Sequence, residues 1–304
     1  MATETHADRS LVPGVERPAE VAQSRFPTGK LASRIGFVAI LLFFTVLFVY
    51  PFIWLLSASL KPGADVFNGE LIPDPVVWEN YPELFNLTRM ADWTWNSTYV
   101  SLLAAVTVTI SSALVAFAFA YFRFPYRGAV FAIVLASMML PGAVTMIPTF
   151  LIWDALGWTN THVPLWAGNL FASPFYIFLL RQFFLGLPRE LFDAARVDGA
   201  NYIRMWWSVA LPLTRAALIV VFVFELKAAW TDLVKPLIFL RDVGLYTLPR
   251  GLKAVVDSPS IGGERHFELL AVGGVIVTVP MLVIFFLGQR YFLEGIATTG
   301  STGR

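Results

Sequence analysis

Hydrophobic residues in this chain do not follow the short alternations of water-facing elements; they gather into long runs without charge. Residues 35–59 form the first, 25 positions with no charged side chain. About 20 apolar residues suffice for a helix to cross a hydrocarbon layer of ~30 Å. Further runs cover 97–122, 128–153, 155–180 and 269–289. Within 155–180, Gly157-Trp158-Thr159-Asn160 reads as a loop, so that crossing begins near Val163. One more span is interrupted. Only Ala216–Phe224 is clean there, and nine residues are too few to cross. To span, the helix must run from about Leu211 to Asp232 and carry Glu225 and Lys227 inside. The pattern predicts an all-α membrane protein with six transmembrane helices across residues 34–294 and both termini on one side. Residues 1–33 are polar, contain Pro and lack periodicity, which predicts a disordered tail. They do not read as a signal peptide, because the first apolar run starts too late and is too long. Residues 295–304 form a small, polar C-terminal tail.

Basic residues orient the spans, since Lys and Arg collect on the cytoplasmic side. The N-terminal tail, the second and fourth connections and the C-terminus together carry 13 Lys or Arg, and the opposite face carries seven. This places both termini and the long loop at 187–212 on the cytoplasmic side of the membrane. The basic 241–267 connection runs against the trend. Composition agrees with a membrane class: 57% of the 304 residues are hydrophobic and 14% charged, where soluble domains have about 25% charged. A net charge of +1 gives no reason to expect nucleic acid. The chain has no Cys, which excludes disulfides, thiolate metal sites and cysteine nucleophiles. His6, His162 and His266 are too scattered to suggest a metal site. No Gly-x-x-x-x-Gly-Lys-Ser/Thr phosphate loop is present, so ATP is not bound by that route.

The most structured polar stretch is Leu187–Pro212. Pro188 suits the first position of a helix, and Glu190 suits the positive end of its dipole. Leu191, Ala194 and Ala195 fall on one face, with Arg189, Asp193 and Arg196 on another. Gly199 stands where the helix must stop in a left-handed conformation. A second, aromatic-rich helix follows (Tyr202, Trp206, Trp207), and Leu211-Pro212 turns into the next span. On these grounds the short helix is either a knob with a small-residue face for another protein or a helix lying on lipid headgroups.

The run Asp193-Ala194-Ala195-x-x-x-Gly199, followed by Leu211-Pro212, resembles the EAA loop of ABC-importer permease subunits. Its context, Leu187-Pro188 and Asp198-Gly199-Ala200, is similar to the carbohydrate branch related to the maltose permease G component. Pro51-Phe52-Ile53-Trp54, Asn96-Ser97-Thr98, Ala120 to Pro125, Pro141 to Pro148, Trp230-x-Asp232 and Gln289-Arg290-Tyr291-Phe292 extend the likeness over about residues 35–303. Asp193 replaces the usual Glu of the motif, which keeps the charge and shortens its reach. The resemblance implies the type I importer permease fold, with the loop acting as a coupling helix that enters a cleft on an ATPase. Glu190, Asp193, Ala194, Ala195, Asp198, Gly199 and Ala200 would carry that contact. It also implies a second permease subunit, two ATPase subunits that hold ATP and Mg, and an extracytoplasmic solute-binding protein. The chain itself would bind no cofactor and catalyse no reaction. The implied cargo is a sugar or oligosaccharide moved by alternating access; a polyol, glycerol-3-phosphate or a phosphodiester would fit the same importer class, and an ion-coupled carrier is the reading outside it.

Four residues stand as candidates for the transport pathway: Glu225, Lys227, Trp230 and Asp232. A charge at a helix centre costs roughly 2.5–3.5 kcal/mol on insertion scales, so Glu225 and Lys227 should face the bundle interior or water. Two residues apart, they point to nearly opposite sides and cannot pair. Most of the ten Trp lie near span ends, as interfacial belts would have them. Pro141 and Pro148 are expected to kink the third span, and the acidic connection at 60–96 reads as a solvated loop that faces the binding protein in the family.

Overall fold

The computed structural model describes the backbone of residues 28–258 and 266–300, with side chains for 33–258 and 266–289. Every regular element among the described residues is helical. The chain divides into two units at Pro51. In the first, residues 28–51 continue as one helix, α1 (Thr28–Ala58), whose side chains from Ser33 to Tyr50 are exposed, in keeping with a lipid-facing run. The predicted tail therefore ends earlier than expected, because helix already begins at Thr28; residues 1–27 lie outside the described residues.

The second unit is organised on α3 (Met90–Tyr121), which follows the short α2 (Asn80–Leu87). Its 32 residues correspond to about 48 Å at ~1.5 Å per residue. The buried positions of α3 are mostly small: Ser97, Ser101, Ala104, Ala105, Ser112, Ala113, Ala116 and Ala120. Small side chains let neighbouring backbones approach in a membrane, where lipid gives no hydrophobic drive to associate. Two helices use this surface, α7 (Pro174–Leu185) and α11 (Arg215–Trp230).

Among the described residues, three helices are long and apolar enough to cross a membrane: Ser33–Ala58, Met90–Tyr121 and Phe267–Gln289. The other three predicted spans are each broken. α4 (Arg127–Ser137) and α5 (Gly142–Ala155) meet at 96°. The break falls at Met138–Pro141 rather than at Pro148, which sits within α5. α6 (Val163–Trp166) and the 3-10 turn Ala167–Phe171 meet α7 at 40°, at Ala172 with φ +65°. The loop expected at Gly157–Asn160 is present, with φ +72° and +55° at those two residues.

The third break corrects the sequence reading of a continuous Leu211–Asp232 helix. α8 (Arg189–Val197) and α9 (Tyr202–Met205) precede a π-helical turn, Trp206–Ala210, and α10 (Leu211–Leu213). The 202–213 segment then meets α11 at 83°, with the bend at Thr214. Pro212 lacks the N–H that would carry a helix through, and buried Thr214 returns its hydroxyl to the Ala210 carbonyl at 2.8 Å.

The remaining helices are α12 (Val234–Phe239), α13 (Leu248–Asp257) and α14 (Phe267–Gly300). α14 runs past residue 295, where a tail was expected; residues 301–304 and 259–265 lie outside the described residues. The 60–96 connection is folded, not merely solvated. Lys61 is 2% exposed, donating to Asn68 Oδ1 at 2.9 Å and to the Glu70 carbonyl, and buried Asn80 donates to the Ser59 and Lys61 carbonyls at 3.0 and 2.8 Å. Trp93 is also core rather than interfacial: it is buried, donates to the Val243 carbonyl at 2.7 Å, and packs on Gly251, where an added Cβ would lie 2.2 Å from its ring.

Candidate functional site: a capped helix on an aromatic nest

The 187–212 segment forms a helix of nine residues, α8, followed by a sharply capped turn. Pro188 is the N-cap, one residue outside the helix rather than its first member, with β-region backbone (φ −60°, ψ 132°). Glu190 occupies the first turn as expected, and Arg196 the last, so both charges complement the helix dipole. At the far end, the Gly199 N–H donates to Arg196 O at 3.0 Å and the Ala200 N–H to Ala195 O at 2.9 Å. These are the two bonds of a Schellman cap. Gly199 has φ +79°, and an added Cβ would meet nothing within 4 Å, so the demand for glycine is conformational and not steric. Asn201 then opens α9, its Oδ1 accepting the Arg204 N–H at 2.8 Å.

The face assignment made from spacing alone needs correcting. Ala195 and Ala194 do not share a face: Ala195 turns inward with Phe192, which is 4% exposed, while Ala194 is exposed. Phe192 enters an aromatic nest, with ring centroids 5.9 Å from Phe117 and 5.2 Å from Tyr121. Phe117 stacks on Tyr121 at 5.2 Å and meets Phe184 at 5.8 Å. Arg196 ties the same nest, donating to the Tyr121 hydroxyl at 2.8 Å and lying 5.7 Å from the Tyr202 ring. The nest joins the ends of α3 and α7 to α8, so any displacement of α8 loads directly onto two bundle helices. Phe192 was not singled out in the sequence; its signal was that it is the one aromatic residue in α8.

Opposite the nest, Glu190, Asp193, Ala194 and Val197 are exposed, Val197 at 88%. Leu191 of the same helix and Tyr202, Ile203 and Trp207 of the following segment are exposed as well, so α8 carries apolar residues and two carboxylates on its uncovered side. Asp198 is the exposed C-cap, and Ala200 is half-buried beneath the turn.

The pathway candidates separate. Glu225 is half-buried and accepts from Asn169 Nδ2 at 2.7 Å, and the Tyr176 hydroxyl also faces it. Asn169 donates as well to the Ala104 carbonyl at 3.1 Å, and its own carbonyl accepts from Ser111 Oγ at 2.7 Å. Ser112 Oγ accepts the Ser173 N–H at 3.0 Å. Side chains of α3 thus satisfy backbone groups at the break, the Asn169 carbonyl and the Ser173 N–H, as broken helices in membranes require, while Glu225 of α11 holds the Asn169 side chain. Trp230 is buried and donates to the Val277 carbonyl at 3.0 Å. Asp232 caps α12, accepting from the Val234 and Lys235 N–H groups at 2.9 and 3.2 Å. Lys227 is exposed and has no carboxylate within 4.0 Å among the described residues. Among those residues no cluster of three or more His, Cys, Asp or Glu could hold a metal.

A second polar knot lies near residue 160. The Asn160 N–H donates to Phe239 O at 2.8 Å, its Nδ2 donates to Asp242 at 2.8 Å, and its Oδ1 accepts the Arg241 and Asp242 N–H groups at 2.9 and 3.0 Å. His162 Nε2 donates to the Leu245 carbonyl at 2.6 Å, and its Nδ1 accepts from the Tyr99 hydroxyl. That pattern belongs to the neutral ring, and burial lowers the His162 pKa from the ordinary value of 6.5 despite the bond to Leu245.

The family described as binding-protein-dependent transport system inner membrane component matches residues 105–297, which include α8, its cap and the Glu225 cluster. The chain belongs to that family. It is a transport permease subunit of an ABC importer and an inner membrane component. The arabinooligosaccharides transport system permease protein AraQ of Bacillus subtilis is 30% identical over 278 residues, covering 88% of this chain and 96% of the relative. The sn-glycerol-3-phosphate transport system permease protein UgpE of Yersinia pestis is 29% identical, covering 83% and 91%. A crystal structure of a bacterial ABC transporter involved in the import of the acidic polysaccharide alginate superposes with a TM-score of 0.76 at 24% identity, over 88% of this chain and 98% of that one. The likeness supports the permease fold with its six spans, three of them broken here.

Proposed function

We propose that this permease imports a sugar or oligosaccharide and that α8 is the lever through which a separate ATPase drives it. The observation that carries the lever is mechanical. A nine-residue helix, marginal alone, is closed at its C-terminal end by the Schellman turn and seated through Phe192 on the aromatic nest at the ends of α3 and α7, while Glu190, Asp193, Ala194 and Val197 are exposed. A partner that grips the outward face moves the bundle with it. The ATPase binds ATP and Mg, and its two conformations bias this chain by contacting α8 differently in each. A second permease subunit, two ATPase copies and an extracytoplasmic binding protein complete the assembly, with both termini and α8 in the cytoplasm.

The carbohydrate reading draws on AraQ, and UgpE supports glycerol-3-phosphate as the second reading. In this reading Lys227, exposed and without a carboxylate within 4.0 Å among the described residues, meets hydrophilic cargo, while Glu225 holds the Asn169 side chain at the broken helix. The test is affinity purification of the tagged chain in mild detergent, followed by identification of co-purifying subunits. We expect a phosphate-loop ATPase and a second permease, both lost in Asp193→Lys. Wild-type recovery of the ATPase in Asp193→Lys would overturn the lever; recovery of the folded chain alone would overturn the assembly. ATP-driven uptake of radiolabelled oligosaccharide against glycerol-3-phosphate by the reconstituted complex separates the two cargo readings.

A further inference from the structure

We propose that Arg127 and Arg181 form a site for a phosphate ester, the headgroup of an anionic phospholipid, at the amino-terminal end of α4. The proposal rests on the membrane reading of α4 and α7 but not on the lever or the cargo.

The two arginines are half-buried, and Arg127 stands near enough to act on the Arg181 guanidinium as a like charge. Arg181 lies over the Phe131 ring, its Cζ 4.3 Å from the centroid, and its buried Nε has no hydrogen-bond partner. Arg127 donates one bond, from Nη1 to the Phe122 carbonyl at 3.0 Å. A guanidinium has about five N–H donors, so most of the donor capacity of the pair is left over.

Compensating charge is missing. Between Asp92 and Glu190 the sequence has one acid, Asp154, in the last turn of α5. Neither arginine has a carboxylate within 4.0 Å among the described residues. Arg127 is the first residue of α4 and Phe131 lies one turn in, so the positive end of the helix dipole adds to the excess. Two cations brought together in a half-buried place without a counterion call for an anion, and a phosphate matches the fork of a guanidinium.

The surroundings choose between a free phosphate and a lipid. Val130 and Ile133, the next turns of α4, are 42% and 70% exposed, and Tyr126 beside them is 82% exposed. A charged site at the foot of an exposed apolar helix, with an aromatic at its rim, matches an amphiphile whose phosphate sits on the arginines and whose acyl chains lie along α4.

Native mass spectrometry of the chain, with the subunits that co-purify with it, tests this. The probes are phosphatidylglycerol, phosphatidylcholine and inorganic phosphate. The wild type should prefer phosphatidylglycerol, and the preference should shrink as salt rises. Arg127→Gln with Arg181→Gln should weaken that binding by about tenfold or more, at roughly 1 kcal/mol per basic group. Arg250→Gln, at another stacked arginine 4.1 Å from the Tyr246 ring, should bind as wild type. Equal retention of both lipids by the wild type would overturn the site even where the double variant fails to fold. Wild-type preference in a folded double variant would overturn it too. Displacement by equimolar inorganic phosphate would replace the lipid with a free anion. Loss of a co-purifying subunit from the double variant, without lipid preference in the wild type, would assign the pair to a partner's carboxylate.

Discussion

Phe192→Ala isolates the anchoring of α8 from its outward face. The ring is 4% exposed and packs against the stacked pair Phe117 and Tyr121. Truncating a buried Phe costs about 3–5 kcal/mol in a rigid core; α8 lies at a surface and can collapse, so the lower end, about 3 kcal/mol, applies. Nothing within α8 replaces that energy, because its nine residues are too few for a stable isolated helix. The loss should therefore appear as local opening of α8 and leave the α3 core intact. At ~1.4 kcal/mol per power of ten, the open state rises about a hundredfold. Hydrogen exchange followed by mass spectrometry reads this at the amides that close the cap, Asp198 on Ala194, Gly199 on Arg196 and Ala200 on Ala195. We expect those amides to exchange about a hundredfold faster, with exchange at Ala104–Ala120 unchanged. ATP-driven uptake should fall with them, since an opened helix transmits no displacement. Wild-type exchange at the cap would refute the anchoring argument. Faster exchange with undiminished uptake would refute the lever instead.

Three further outcomes follow from the same geometry. Gly199→Val should cost about 1–2 kcal/mol from left-handed backbone strain alone, because no atom lies within 4 Å of the new Cβ; exchange at the Ala200 amide should rise about tenfold or more, and no change there would contradict the assigned cap. Gly251→Ala should destabilise by about 1–3 kcal/mol or fail to accumulate, because its Cβ would fall 2.2 Å from two Trp93 ring atoms; a thermal melt equal to wild type would show that Trp93 moves freely. His162 is neutral when folded, so the unfolded chain takes up the proton first as pH falls. Its stability contribution is complete above 6.5, the ordinary value, and is lost as pH falls below 6.5 toward the lowered folded value. The thermal midpoint should drop between about pH 7.5 and about pH 5.5, and His162→Gln should flatten that slope; an unchanged slope would move the titration elsewhere.

Hydropathy and the capped loop were readable from the sequence because both are local. A run without charge says that a segment can enter hydrocarbon, since each stray charge there is costly. Glycine at position 199, with the acids and small residues before it, declares a helix and its end, since only glycine takes φ +79° cheaply. The continuity of the spans was not local. Whether a helix passes through Thr214, Ala172 or Met138 depends on who receives the backbone groups that a break releases, and those receivers lie far away in sequence. Ser111 reaches the Asn169 carbonyl across 58 residues and Ser112 receives the Ser173 N–H across 61. The inward turn of Phe192 was likewise decided by rings on α3 at positions 117 and 121. Sequence alone determined that this chain belongs in a membrane and where the capped helix α8 would lie. Tertiary structure decided which spans are broken and what holds that helix, because in hydrocarbon every freed polar group must find its partner within the protein.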